Sequence, residues 1–225
     1  MAIAHSTTST ATAGGASTTT IASFVVSGTD PVLVVKVATK GSGITVSSVV
    51  FNTTETFDAV GTDINGDARA SMYVLPNPTA TTADVVITLS GAARHVSACS
   101  LYTGVDDATP IRAAATTTAN GTDAAPTVNV TSISGEMVVD SMAQVSAGPD
   151  TATAGNTERS NAQATGGGTD TVGASQELAG TGGADTMDWS MSSTDNWAIV
   201  GAALQEPFTV SFLAAWAAGS NRIIQ

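Results

Sequence analysis

Short apolar runs, each closed by a turn signal, dominate the first half of the chain. Residues 32–37 read VLVVKV and stop at KGSG, and residues 70–75 read ASMYVL and stop at PNP. Runs of the same kind occupy residues 44–51, 85–89 and 96–102. β-Branched and aromatic residues in short runs between Gly, Pro and Asn are typical of antiparallel strands. The pattern therefore predicts an all-β fold.

The second half of the chain repeats this pattern less regularly. Apolar runs return between residues 127 and 142. Met187, Trp189 and Met191 alternate with polar residues, so they share one face of a predicted strand. Residues 197–204 are continuously apolar and predict a buried strand. The polar stretches between the runs are predicted as connections, the last of them with short exposed strands: residues 58–69, 116–125 and 146–183.

Both ends of the chain differ from this central body. Residues 1–20 are rich in Thr, Ser, Ala and Gly and are predicted as an extended N-terminal arm that lies against a sheet edge or a neighbouring subunit. Residues 21–206 form one predicted β-sandwich. Residues 207–225 are more apolar than the body, and such a tail would expose a hydrophobic patch in water. The tail is therefore predicted to contact other subunits through Phe208, Phe212, Leu213, Trp216, Ile223 and Ile224.

The distribution of charged and apolar residues argues against binding to nucleic acid and against a membrane-spanning segment. Only 12% of the 225 residues are charged, about half the usual share. The net charge is −12, and the 7 basic residues are scattered singly, so the chain lacks the basic stripe on which nucleic-acid binding depends. No apolar stretch reaches the length of a membrane span. The N-terminus has no basic and apolar signal-peptide pattern, which predicts synthesis in the cytoplasm without a signal peptide.

The sequence contains few candidate metal ligands or catalytic residues. Asp63, Asn65 and Asp67 place oxygen side chains at alternate positions, as a calcium loop does, but the Asn-Gly dipeptide within them favours a hairpin turn. His95 and Cys99 lie near each other in sequence without the surrounding residues of a nucleophile site, and with His5 they offer too few ligands for zinc. The sequence therefore predicts no enzyme and no cofactor.

Aromatic residues leave a second interpretation open. Trp197, flanked by Ala198 and Ile199, is predicted to lie in the core. Trp189 has two interpretations: a core residue, or a contact that stacks on a glycan at an exposed face of the sandwich.

The order of these runs and turns resembles a jelly-roll, lectin-like β-sandwich module found in phage virion proteins and bacterial surface proteins. The segments that carry the resemblance are residues 46–52, 57–61, 72–78, 83–91, 100–106 and 196–204. The resemblance implies a jelly-roll fold and a structural or adhesive role, and it transfers no functional residue. We therefore expect a homo-oligomeric virion protein, of head-decoration or tail-fibre type, that contacts other virion proteins such as the major capsid protein. The alternative is a carbohydrate-binding module that recognises a host surface glycan.

Overall fold

The computed structural model describes residues 2–146, 152–166 and 169–207. Over these residues the chain forms fifteen β-strands and no helix. The strands are β1 (Ala4–Val25), β2 (Val32–Lys40), β3 (Val46–Phe51), β4 (Glu55–Thr56), β5 (Asp58–Asn65), β6 (Ala68–Pro76), β7 (Thr82–Thr103), β8 (Thr117–Asp123), β9 (Thr127–Thr131), β10 (Met137–Ser146), β11 (Ala152–Ala154), β12 (Thr157–Ala164), β13 (Asp170–Ala179), β14 (Ala184–Met191) and β15 (Asp195–Leu204).

The first sheet is organised around the long strand β7. On one side β7 pairs with β1 along its whole length. On its other side the two halves of β7 pair with different strands, β2 and β3, giving the order β4-β3-β7-β2-β6-β5. The β1–β7 register shifts between Gly14 and Thr18, near the middle of both strands. Because bulges of this kind bend a sheet, the first sheet curls until it is nearly closed.

Two further sheets lie beyond the first. The second sheet has the order β12-β13-β10-β15-β8, and the small third sheet has the order β11-β14-β9. One hydrophobic core fills the inside of the curled first sheet, a second lies between the first and second sheets, and a third lies between the second and third sheets. All the pairings in the described chain are antiparallel.

This layering explains the continuous apolar runs. Strands β2 and β15 each have a core on both faces, and nearly every residue in them is buried. In β14, by contrast, Met187, Trp189 and Met191 face the third core while the residues between them are exposed. The predicted all-β, antiparallel architecture is confirmed. The jelly-roll connectivity stays a prediction.

Three polar segments differ from the sequence-based expectation. The segment 58–69 contains strand β5 and the hairpin turn into β6, with φ of +56° at Gly66. The segment 116–125 contains β8, which pairs with β15. The segment 146–183 contains β13, which is buried over most of its length. Small residues make this burial achievable, because they let neighbouring sheets approach closely.

Residues 1–20, predicted as an arm, contribute Ala4 to Thr20 to strand β1. Residues 21–206, predicted as one β-sandwich, contribute to all three sheets. The tail residues Phe208, Phe212, Leu213, Trp216, Ile223 and Ile224 lie outside the described part of the chain.

Candidate functional site

Strand β1 is a long sheet edge. It has 22 residues, and within the described chain it pairs with β7 alone. Most of its residues are exposed or half-buried. No Asp, Glu, Lys or Arg occurs in the sequence before Asp30, so the whole strand is uncharged apart from His5. An edge strand presents a row of backbone N–H and C=O groups that can pair with another strand.

The other sheet edges in the described chain carry features that discourage pairing. Strands β4 and β11 have only 2 and 3 residues, and β9 has 5. Strand β5 carries Asp58 and Asp63 and packs against β8 and β15. Strands β8 and β12 carry Asp123 and Glu158. Short length, charge and cover are the usual means by which proteins protect sheet edges. Among the edge strands of the described chain, β1 alone is both long and uncharged, and β12 packs against it as β8 packs against β5.

A chain of hydrogen bonds holds β1 to the body. The His5 Nε2 and the Thr8 hydroxyl lie 2.7 Å apart, and the Thr8 and Ser100 hydroxyls lie 2.9 Å apart. The Lys36 ammonium donates to Ser100 Oγ at 2.8 Å. The His5 ring also meets the Tyr102 ring edge-on, with centroids 5.5 Å apart. These contacts connect β1, β7 and β2, so they fix the position of the first half of β1.

Lys36 is the charged residue at the end of this series of hydrogen bonds, and it is buried. Its side chain is 3% exposed, and its ammonium lies 5.6 Å from the centre of the Tyr102 ring. Burial lowers the pKa of Lys36 to about 8, and the charge of Asp140 offsets only part of this effect. Lys36 was not among the residues predicted from the sequence, although it visibly interrupts the apolar run 32–37.

We predict that Lys36→Met stabilises the protein at pH 7 by about 1–3 kcal/mol. In wild type, the unfolded chain holds the Lys36 proton up to its normal pKa, whereas the folded chain releases it at about 8. This group therefore raises stability as pH increases from about 8 to about 10.5. The Cys99 thiol opposes the rise, because burial raises its pKa. The difference between variant and wild type isolates Lys36.

Urea unfolding at several pH values measures this difference. The advantage of the Lys36→Met variant should shrink steadily between about pH 8 and about pH 10.5. A variant that is less stable than wild type at pH 7, or an advantage that does not change with pH, would contradict the assignment of Lys36 as a buried and penalised charge.

An ion pair lies on the same inter-sheet layer. Arg159 of β12 is hydrogen-bonded to Glu177 of β13, which is 5% exposed. The pKa of the Arg159 guanidinium is raised by this bond. The Tyr102 hydroxyl is fully buried beside the pair, and burial together with Glu177 raises the pKa of Tyr102. These groups form a polar layer between the first and second sheets.

A second buried group, Asp140, joins the second and third sheets. Its Oδ1 accepts from the Gln176 backbone N–H at 2.8 Å, and its Oδ2 accepts from Gln176 Nε2 at 3.1 Å and Trp189 Nε1 at 2.8 Å. The carboxylate has no exposed surface, and burial raises the pKa of Asp140 to about 6 despite these three bonds. Asp140 was not among the residues predicted from the sequence, although an acid within the apolar run 137–142 was a visible signal.

The contact with Asp140 decides between the two interpretations of Trp189. Its side chain is 3% exposed, and its ring lies in the third core. Stacking on a glycan needs an exposed ring face, so the glycan-contact prediction for Trp189 is corrected: the structure makes it a core residue. Trp197 is also buried, at 4% exposure, as predicted.

The three calcium candidates contact different partners. Asn120 Nδ2 donates to both oxygens of Asp63 at 3.2 Å. The Asn65 amide donates to the Gly121 carbonyl at 2.5 Å, and Asp67 Oδ1 accepts from the Ser42 backbone N–H at 3.4 Å. Asp63 and Asn65 therefore tie β5 to β8. Calcium binding at this turn stays a prediction.

His95 and Cys99 are both fully buried. His95 is hydrogen-bonded to the Thr19 hydroxyl, and its Nδ1 lies 3.1 Å from the Ala93 carbonyl. Burial lowers the pKa of His95 and raises the pKa of the Cys99 thiol. A thiol with a raised pKa is a poor nucleophile. His95 connects β7 to β1 through Thr19, and Cys99 packs in the core inside the first sheet.

The described residues contain no group of three or more His, Cys, Asp or Glu side chains arranged to hold a metal ion. Over the same ranges, no helix is long and apolar enough to cross a membrane. No family model, curated protein or solved structure matches the chain.

Proposed function

We propose that this chain is a structural component of a phage virion, of head-decoration or tail-fibre type, that acts through assembly and not through catalysis. The observation that carries the proposal is the edge strand β1, which is 22 residues long, uncharged and paired on one side only within the described chain. Natural proteins protect such an edge unless another strand covers it. An unprotected edge of this length is expected to pair with a strand of another protein chain, which supports a function in assembly.

The layered body suits a structural role. Three cores in succession leave the central strands of both large sheets buried on both faces. Hydrogen bonds donated by Lys36 and accepted by Asp140 connect neighbouring strands and sheets within this body. Close-packed layers of this kind resist deformation. A body of this construction can present an edge strand in a fixed position.

The tail supplies the second contact in this proposal. It begins at Pro207, which lines an open groove of about 520 Å³ together with Ile133, Gln205 and the ion pair between Arg112 and Glu136. Ile133 is 53% exposed, which is unusual among the large apolar residues of the described chain. In the proposal, the apolar residues of the tail attach the body to another virion protein, such as the major capsid protein.

We predict that a chain ending at Glu206 folds normally but is lost from virus particles. Its melting temperature should match that of the full chain, because every described core lies before Pro207. Quantitative mass spectrometry of purified particles should find the full chain and not the shortened chain. Within the full chain, Phe212→Ser with Trp216→Ser should also prevent incorporation, whereas the matched polar changes Thr209→Ala and Ser220→Ala should not.

Normal incorporation of the shortened chain would overturn the role of the tail. Absence of the full chain from particles would overturn the virion assignment itself.

A further inference from the structure

We propose that the partner of β1 is a second copy of this chain, whose own β1 adds antiparallel to it so that the first sheet continues from one copy into the other. The inference rests on the proposed function in treating β1 as an assembly surface, and it names the occupant of that surface. The segment that pairs is Thr7–Gly14.

The geometry of β1 selects this segment. From Thr7 to Gly14 every residue keeps one register with β7, from Leu101 to Arg94, without a bulge. Register shifts interrupt the strand on both sides of this segment. A regular stretch of eight residues spans about 27 Å. A new strand needs such a regular ladder, because each bulge in the edge removes pairing positions.

Charge favours a second copy as the occupant. Each copy carries a net charge of −12, so two copies repel each other over most of their surfaces. The first 29 residues carry no acid or base other than His5, which makes β1 the long edge at which two copies can meet without opposing like charges. A partner with a basic surface would instead be expected to bind an acidic surface of this protein, and β1 is uncharged.

The side chains of the segment also suit pairing with themselves. Thr7, Thr8, Ser9, Thr10 and Thr12 are hydroxyl residues, and the remaining positions are Ala and Gly. An antiparallel pair about a two-fold axis places this set opposite an identical set. Cross-strand Thr–Thr and Thr–Ser pairs are favourable, and small residues avoid steric conflict in any register.

The second sheet packs against β1 and leaves the segment Thr7–Gly14 partly exposed. Strand β12, the edge of the second sheet, packs against β1, and the chain just after β12 comes close at Gly14, where an added Cβ would lie 2.9 Å from the Thr165 carbonyl oxygen. Most of Thr7–Gly14 nevertheless remains exposed or half-buried. The edges of two sheets therefore lie on one flank, and the proposed pairing is through β1 alone.

Sedimentation equilibrium of the full chain tests the inference. We expect wild type to have twice the chain mass of 22.2 kDa. Thr10→Glu with Thr12→Glu places four added acids at the β1–β1 contact and should weaken dimerisation roughly tenfold or more. The matched control is Thr127→Glu with Thr131→Glu, two exposed threonines on the edge strand β9, and it should leave the dimer intact. Circular dichroism and melting temperature confirm that each variant is folded.

Cross-linking provides a second readout. Cys99 is the single cysteine and is fully buried, so a cysteine introduced by Thr10→Cys is the reactive thiol of that variant. A short bis-maleimide should then link two chains, whereas Thr127→Cys should give no linked dimer.

A monomeric wild type, or a dimer unaffected by Thr10→Glu with Thr12→Glu, would overturn the inference. If that happens while the full chain is still incorporated into particles through its tail, the proposed function stands and only the identity of the β1 partner is wrong. If the chain forms the β1 dimer but is absent from particles, the inference about β1 stands and the proposed virion function is wrong.

Discussion

Gly173→Val is expected to lower the free energy of unfolding by about 3–5 kcal/mol, one of the two largest effects that we predict. Gly173 lies in β13, where the second sheet closely approaches the first. An added Cβ would lie 2.6 Å from the Val96 Cβ and 2.8 Å from the Ala38 Cβ. Both contacts are β-carbons, which no side-chain rotation can move. The two sheets would have to separate, and the core between them would lose contact along β2 and β7.

The matched control for this substitution is Gly183→Val. Nothing lies within 4 Å of a Cβ built at Gly183, so this change should alter stability little. Gly173→Ala should fall between wild type and Gly173→Val, which keeps the test informative if the valine variant fails to fold. Urea unfolding measures the series. Equal stability of the Gly173 and Gly183 variants would contradict the close approach of the sheets.

Asp140→Ala is expected to cost about 3 kcal/mol at pH 7, because it removes the acceptor of three buried hydrogen bonds. The donors are the Gln176 backbone N–H, Trp189 Nε1 and Gln176 Nε2, and the last of these also donates to the Asp188 carbonyl at 2.9 Å. The loss should be larger near pH 4.5. The folded-state pKa of Asp140 is raised from 3.8 to about 6, so wild type gains stability from this group at low pH and loses it as pH rises through about 6.

Asp123→Ala is the matched control for Asp140→Ala. Asp123 also accepts from an indole, that of Trp197 at 3.2 Å, but Asp123 is exposed. Its removal should cost less than about 1 kcal/mol, since water replaces the lost acceptor. Thermal and urea unfolding of both variants at pH 4.5 and pH 7 compare them. A loss for Asp140→Ala that does not exceed that for Asp123→Ala would contradict the role of Asp140 as a buried acceptor.

The clearest strands were predictable because their residue patterns follow directly from how each strand is buried and where it turns. The continuous runs of β2 and β15 reflect burial on both faces, and the alternation of Met187, Trp189 and Met191 reflects burial on one face. Turn residues such as Asn65-Gly66 mark where strands end, since Gly66 adopts a positive φ. These features depend on nearest neighbours along the chain.

Strands β1, β5, β8 and much of β13 were not predicted as strands of this length. Their Thr, Ser, Ala, Gly and Asp residues have little hydrophobic periodicity, so nothing in their local sequence distinguishes a strand from a loop. Their structure comes from pairing with strands far away in the sequence, as β1 pairs with β7. Residues 1–20 were predicted to lie against a sheet edge or a neighbouring subunit, and β1 forms such an edge itself.

Adjacent residues alone were enough to establish an all-β, antiparallel, weakly charged body, because burial and turn formation leave their pattern in the local sequence. The lack of charge along β1 is likewise a property of composition. Three outcomes required the folded chain: within its described part β1 pairs on one side only, Trp189 is hydrogen-bonded to Asp140 inside the core, and Lys36 is buried between sheets. These outcomes depend on which distant strands become neighbours, and no local pattern of residues specifies that choice.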